Sequence, residues 1–408
     1  MANRSVDAHL AELLGAVEPL APFPVGLGEA RGCVAAADVT PAWPLPAFAS
    51  AAVDGYAVRA ADFADESESV VTLRVADVLL AGTAPEADLE PGTAVRVSAG
   101  APVPAGTTAV VPVANTDGGI VEVSVKLRPV FGEQLIPAGR DVAEGSVVVR
   151  AGELIDSQLV GLLAAVGRNS VFAHPHPRVV VMSVGDDLVD VGSRLQLGQT
   201  VDANGPMIAA RAAEAGASVY RVGPIGEEPL HLLRTLEDQL VRADLILVTT
   251  GQSALTPESV RHVLRQLGEG ELVELLMQPG SQHGLGVIGE ERIPVVLLPA
   301  MPLAAFVAFE VLVRPVLRKL RGLTEHMLPL SSARIDQDLT VSSGRRNYLC
   351  AEYVEGEDGL RVRPLVAQDS HLIGGLAAAD CIIVVPDLVV TLNAGDLVDI
   401  IPLRERRQ

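Results

Sequence analysis

Arg178-Val179-Val180-Val181-Met182-Ser183-Val184-Gly185-Asp186-Asp187-Leu188 opens the stretch that decides the fold, which runs on to Gly322. The β-branched run reads as a strand that ends in a Gly and carboxylate turn. A polar segment, Asp202-Ala203-Asn204-Gly205, leads into an Ala-rich helical pattern to Ala215, with Gly216 as its C-terminal stop. Val219 to Val222 reads as a strand, Pro229 to Val241 as a helix and Asp244 to Thr249 as a strand, closing on Thr250-Gly251-Gln252-Ser253. Continuous apolar strands alternating with helices predict a parallel sheet covered on both faces. Ligands of such sheets sit beyond the carboxyl ends of the strands, where these turns fall.

Outward from this stretch, length and charge bound the rest. The chain has 408 residues and calls for several domains. Hydrophobic residues make up 49% but aromatics only 3%, so Val, Leu, Ala and Ile must build the cores. A formal net charge of -20 disfavours nucleic acid or an anionic membrane as the main partner. There is no apolar run of spanning length and no secretory pattern at the start, so a cytoplasmic protein is expected. Cys33, Cys350 and Cys381 are scattered without metal-ligand spacing and read as reduced thiols. His174 and His176 lie in a Pro-rich strip that reads as a linker, a metal site being the other reading.

The flanks differ in character. Ser5 caps a predicted helix through Val17, with Val6, Leu10, Leu13 and Leu14 on one face, and Asp156 begins another through Val166. These two helices are expected to pack on each other. Short strands between Gly and Pro turns from Val70 to Val149, and again after Ser331, predict two all-β modules. The resulting division is a helical linker domain at 1–45 plus 142–177, an all-β domain at 46–141, an α/β domain at 178–326 and a small C-terminal β-barrel at 327–408. The fold class is thus α/β multidomain.

In this order the pieces resemble the MoeA and gephyrin family of molybdopterin molybdenumtransferases over nearly the whole chain. The resemblance is carried by Pro46 to Arg59, Ala99-Gly100-Ala101-Pro102, Ser183 to Leu188, Asp202 to Gly205, Met277-Gln278-Pro279-Gly280, Leu298 to Gly322 and Ser343-Gly344-Arg345-Arg346. It implies an elongated homodimer that moves molybdenum from molybdate to adenylylated molybdopterin with the help of Mg²⁺. It also implies Asp54, Asp141, Asp187, Asp202 and Glu258 as catalytic carboxylates, with Asp187 and Glu258 holding the metal. Asn204, Gly251, Ser253, Arg345 and Ser370 are implied as contacts to the pterin ligand.

Departures from the family pattern are specific. The family's Lys-Pro-Gly-Lys is Gln278-Pro279-Gly280-Ser281, and its Leu-Pro-Gly-Asn-Pro is Leu298-Pro299-Ala300-Met301-Pro302. The Gly-rich loop retains only Gly251 and Ser253 of its pattern. Losing two lysine contacts to an anionic ligand costs on the order of 3 to 6 kcal/mol, unless Arg140 or His283 compensates. We therefore expect an eroded site on a gephyrin-type dimeric scaffold that links a membrane protein to a tubulin-like division partner, which would also recruit it to the membrane. The alternative is an active molybdopterin molybdenumtransferase. For the scaffold, Tyr348 is the expected anchor, with Pro386 as the opposite wall, of a groove that takes a peptide or receptor loop.

Overall fold

The computed structural model describes residues 3–64, 70–253, 255–356, 359–365 and 373–403. It separates into two compact units. One comprises Met1–Phe23, Gly32–Ala36 and Ala173–Gln408; the other comprises Pro24–Arg31 and Ala37–Phe172.

The first unit holds the α/β domain. Its elements are β1 (Asn3–Arg4), α1 (Val6–Gly15), β2 (Arg178–Val184), α2 (Asn204–Glu214), β3 (Ser218–Ile225), α3 (Pro229–Leu240), β4 (Leu245–Thr250), α4 (Thr256–Leu267), β5 (Gly268–Leu275), β6 (Gln282–Ile288), β7 (Ile293–Leu297), α5 (Pro302–Ala308) and α6 (Arg314–Leu320). The sheet order is β1-β5-β6-β7-β4-β2-β3. It is mixed rather than purely parallel: β6 runs antiparallel to both β5 and β7, while β7, β4, β2 and β3 pair in parallel. The correction has a simple cause. β5, β6 and β7 follow one another with short connections, which only antiparallel neighbours allow.

Strand periodicity sorts the core into two layers. Val179, Val181, Leu245, Leu247 and Val296 pack with α1, α2, α5 and α6. Val180, Met182, Val184, Ile246, Val248 and Val295 pack with Leu232 and Leu236 of α3 and Val260 and Val263 of α4. Burial on both faces explains why the strands read as unbroken apolar runs. Ser5 does cap α1, its hydroxyl accepting from Ala8 N at 3.2 Å. However, Val6, Leu10, Leu13 and Val17 belong to the α/β core, so α1 does not join the 157–165 helix in a common piece. The reason is β1, which adds in parallel to the edge at β5 and anchors the helix that follows it.

A π-turn, Phe309–Val313, joins α5 to α6. It carries Glu310, 1% exposed, between Arg211 Nη2 at 2.6 Å and Arg314 Nε at 2.7 Å. His174 and His176 serve structure: their Nδ1 atoms lie 2.7 Å from the carbonyl oxygens of Leu20 and Gly216.

The same unit ends in a closed five-stranded barrel. Arg346–Gly356, Gly359–Pro364, Ser331–Ile335, Leu397–Pro402 and Cys381–Val385 follow in that order, and the first pairs back onto the last. Leu349 and Ala351 face the barrel interior, whereas Tyr348 and Cys350 face the α/β core. Tyr348 is 3% exposed. It is therefore a packing residue and cannot be the anchor of an open groove, because strand alternation turns it inward. Pro386, just beyond the barrel strand, is exposed.

The second unit is built on a five-stranded sheet ordered Ala109–Pro112, Gly55–Val58, Thr93–Val97, Val71–Leu79 and Glu122–Val125. Tyr56, Leu73, Ala94, Val111 and Val123 fill one side; Ala57, Leu79, Val95, Val97 and Val110 fill the other.

Candidate functional site

The sheet order reverses at β2, which has β3 on one side and β4 on the other. Crevices outside the carboxyl ends of strands at such a reversal are where open α/β sheets bind ligands. Two turns meet here, Gly185-Asp186-Asp187 after β2 and Gly251-Gln252-Ser253 after β4. Gly251 N donates to Val184 O at 2.8 Å and locks them together.

Asp187 is the group this packing presents. Its Oδ2 accepts from Gln252 N at 3.1 Å, while Oδ1 is buried and has no hydrogen-bond partner. A Cβ on Gly251 would overlap that carboxylate, so glycine here lets Asp187 keep this position. Buried polar atoms are nearly always satisfied, so an orphaned carboxylate oxygen marks a place for a donor or a cation.

Beside it, a chain of hydroxyl groups runs into the sheet end. Thr249 Oγ1 donates to Ser183 Oγ at 3.2 Å, and Ser183 Oγ donates to Asp202 Oδ2 at 2.7 Å. Asp202, 1% exposed, also accepts from Gly205 N at 2.9 Å and from Arg221 Nη2 at 3.1 Å. Gly205 has no room for a Cβ, which would strike both Asp202 and Ser183. Asn204 Nδ2 donates to Ala300 O at 2.6 Å, and its Oδ1 is a second buried acceptor without a partner.

The neighbouring cleft, about 370 Å³, is lined by Gln252, Ser253, Gln278, Ser281, Gln282 and Met301 among others. None of its lining residues is charged. His283 cannot supply the missing cation, because burial pushes its ring down to about 3 and keeps it neutral. Arg140 is an exposed residue of the other unit.

The remaining expected residues are dispersed. Glu258 is exposed in the first turn of α4 and accepts from Arg261 Nε at 2.7 Å. Asp54, on the second unit, accepts from Ala99 N at 2.8 Å, holding the Ala99-Gly100 loop. Asp141 is exposed on the same unit. Arg345 pairs with Glu274 at 3.4 Å. Ser370 lies outside the described residues.

Among the described residues no group of three His, Cys, Asp or Glu side chains is arranged to hold a metal ion. Mg²⁺ does not require one, since it takes one or two carboxylates and fills its shell with water and phosphate oxygens. Asp187, with its orphaned oxygen, fits that role; Glu258, engaged by Arg261, does not.

Sequence reading missed two members of this region. Arg221 was legible as a lone cation within an apolar strand, Val219-Tyr220-Arg221-Val222. Glu227, in the turn after β3, accepts from Thr256 Oγ1 at 2.5 Å, and its own N donates to Asp186 Oδ1 at 2.9 Å. Its signal was a third carboxylate turn at a strand end, Gly226-Glu227-Glu228.

Comparison with known proteins closes the question of kinship. Residues 4–167 match the MoeA N-terminal region (domain I and II), 180–319 a probable molybdopterin binding domain and 332–403 the MoeA C-terminal region (domain IV). Molybdopterin molybdenumtransferase 1 of Mycobacterium tuberculosis is 39% identical over 418 residues, covering 97% of this chain and 98% of that protein. The chain belongs to the MoeA family. A second relative, the molybdopterin molybdenumtransferase of Haemophilus influenzae, is 29% identical over 391 residues, covering 93% of this chain and 95% of its own length. The crystal structure of the molybdopterin biosynthesis MoeA protein from Pyrococcus horikoshii superposes with a TM-score of 0.85 at 27% identity, covering 99% of this chain and all of that one. The match extends over both units and the barrel, as expected of a MoeA protein.

Proposed function

We propose that this MoeA protein is a molybdopterin molybdenumtransferase, which moves molybdenum from molybdate onto adenylylated molybdopterin. The observation that carries the reading is the pair of orphaned acceptors, Asp187 Oδ1 and Asn204 Oδ1, set at the strand ends of the switch point. Both need donors or a cation, and a pterin edge with its amino and ring N–H groups, or a phosphate-bound Mg²⁺, supplies them. Asp187 would hold Mg²⁺ there, and the ion would supply neutralisation of phosphate oxygens. The hydroxyl chain Thr249-Ser183-Asp202 fixes the turn that carries Asn204.

The uncharged cleft supports a weaker grip on the anionic ligand than a lysine-lined one would give. We place that difference in substrate affinity rather than in loss of the reaction. The scaffold reading draws nothing from Tyr348, which is buried. The homodimer belongs to this proposal, and light scattering at micromolar concentration reads it directly.

The test is molybdenum insertion in vitro from molybdate and adenylylated molybdopterin with Mg²⁺. Turnover by the wild-type chain, lowered by Asp187→Asn, is the expected result. Absence of both turnover and ligand binding would overturn the reading.

A further inference from the structure

We infer that Arg221 is a positioning residue for the ligand-binding turn at the start of α2, an inference that rests on the molybdopterin reading above. Arg221 stands on the edge strand β3 with its side chain 30% exposed. Its Nη2 donates to Asp202 Oδ2 at 3.1 Å and to Asp190 Oδ1 at 3.2 Å. These carboxylates lie at the two ends of one excursion of the chain, from 190 to 202. Parallel pairing of Leu188–Val189 with Thr200–Val201 closes the base of that excursion.

The two carboxylates are not equivalent. Asp190 is 64% exposed and water can serve it; Asp202 is 1% exposed and depends on its protein partners. Ser183 Oγ and Gly205 N are neutral donors, so Arg221 supplies the positive charge beside Asp202. A buried carboxylate stripped of its cation relieves the cost by turning toward solvent. Turning would release Gly205 N, and with it the first turn of α2, where Asn204 holds its unpartnered Oδ1. Arg221 acts on the ligand only through Asp202. It keeps Asp202 in place, and Asp202 keeps Asn204 aimed. Lys at this position retains a point charge but not the rigid, planar guanidinium that holds Nη2 between the two carboxylates.

The experiment uses the full chain and adenylylated molybdopterin as the titrant, read by calorimetry, with amide hydrogen exchange at Asn204 and Gly205 in ligand-free protein. Arg221→Met should raise Kd on the order of tenfold by misplacing a binding group, and should speed exchange at Gly205. Arg221→Lys should raise Kd less, and Asp190→Asn by no more than about twofold, as expected of a solvent-served partner. Unchanged Kd and unchanged exchange in a folded Arg221→Met protein overturn the inference, as do equal shifts in Arg221→Met and Asp190→Asn. If Arg221→Met does not fold, Arg221→Lys decides by the same two readouts. A wild type that binds no ligand defeats the molybdopterin reading, while exchange at Gly205 still tests the role of Arg221.

Discussion

Arg346 donates Nη1 and Nη2 to the two carboxylate oxygens of Asp7, at 2.7 and 2.8 Å, joining the first barrel strand to the first turn of α1 across 339 positions of sequence. The guanidinium holds Asp7 below the usual carboxylate range, chiefly through these hydrogen bonds. Arg4 and Arg345 add pairs to Glu271 and Glu274 of β5 nearby. The N-terminal segment is thus clipped to the sheet edge and to the barrel at once.

Replacing Asp7 by Asn should cost about 0.5 kcal/mol at pH 7, a small figure because the carboxylate is 67% exposed and screened. The sign follows from the lowered value. Stability from this pair is present above the unfolded carboxylate range and is lost as pH falls through the folded value. Urea unfolding of wild type and Asp7→Asn should therefore converge at acid pH, and a constant gap down to the lowest pH would refute the assignment.

A steeper acid response is expected from His9 and His283, whose ring centroids lie 6.2 Å apart. Burial pushes His9 down to about 4 and His283 down to about 3, each aided by a neighbouring positive or ionisable group, Arg4 and His9 respectively. Unfolded histidines take up protons near 6.5, so the unfolded state binds more protons below that pH. Stability should fall from about pH 6.5 downward, by about 1.4 kcal/mol per pH unit for each ring. Denaturation midpoints measured at several values between pH 7 and 4, for wild type and His9→Phe, check this; the variant should lose one proton's worth of slope.

Gly251→Ala should disturb the site more than the fold. The new Cβ would overlap the Asp187 carboxylate, which must swing away, whereas the strand behind it keeps its apolar contacts. We expect little loss of stability, since only the Asp187 side chain must move, with ligand binding lost. Calorimetric titration with adenylylated molybdopterin beside thermal unfolding separates the two effects. Retained wild-type affinity would show that Asp187 Oδ1 is not a ligand contact.

Introducing Lys at Gln278 and Ser281 should tighten binding of the anionic pterin. Both positions line the uncharged cleft and neither is buried. A charge-assisted hydrogen bond contributes about 1.5 to 3 kcal/mol, so one well-placed lysine should lower Kd by about tenfold or more. The gain should shrink with added salt. No change at low salt would mean that the cleft does not meet the phosphates.

By itself the sequence determined the architecture and its family. Val179 to Met182 and Leu245 to Val248 announce strands buried on both faces, since both alternating sets of side chains are apolar. The turns at Asp187, Asp202 and Gly251 could be placed at strand ends because local chemistry, small residues and carboxylates, makes them turns.

Tertiary structure decided which of those residues act together. Strand alternation put Tyr348 in the core, a parity that depends on which face meets the α/β domain. Pairing of Asn3–Arg4 with Glu274–Leu275 of β5 moved the first helix into the α/β core, a contact 271 residues distant in sequence that no local pattern encodes. Arg221 reached Asp202, and Glu258 turned to Arg261 instead of the turn at Asp187. Long side chains choose partners by distance and desolvation, and those exist only once the strands are in register.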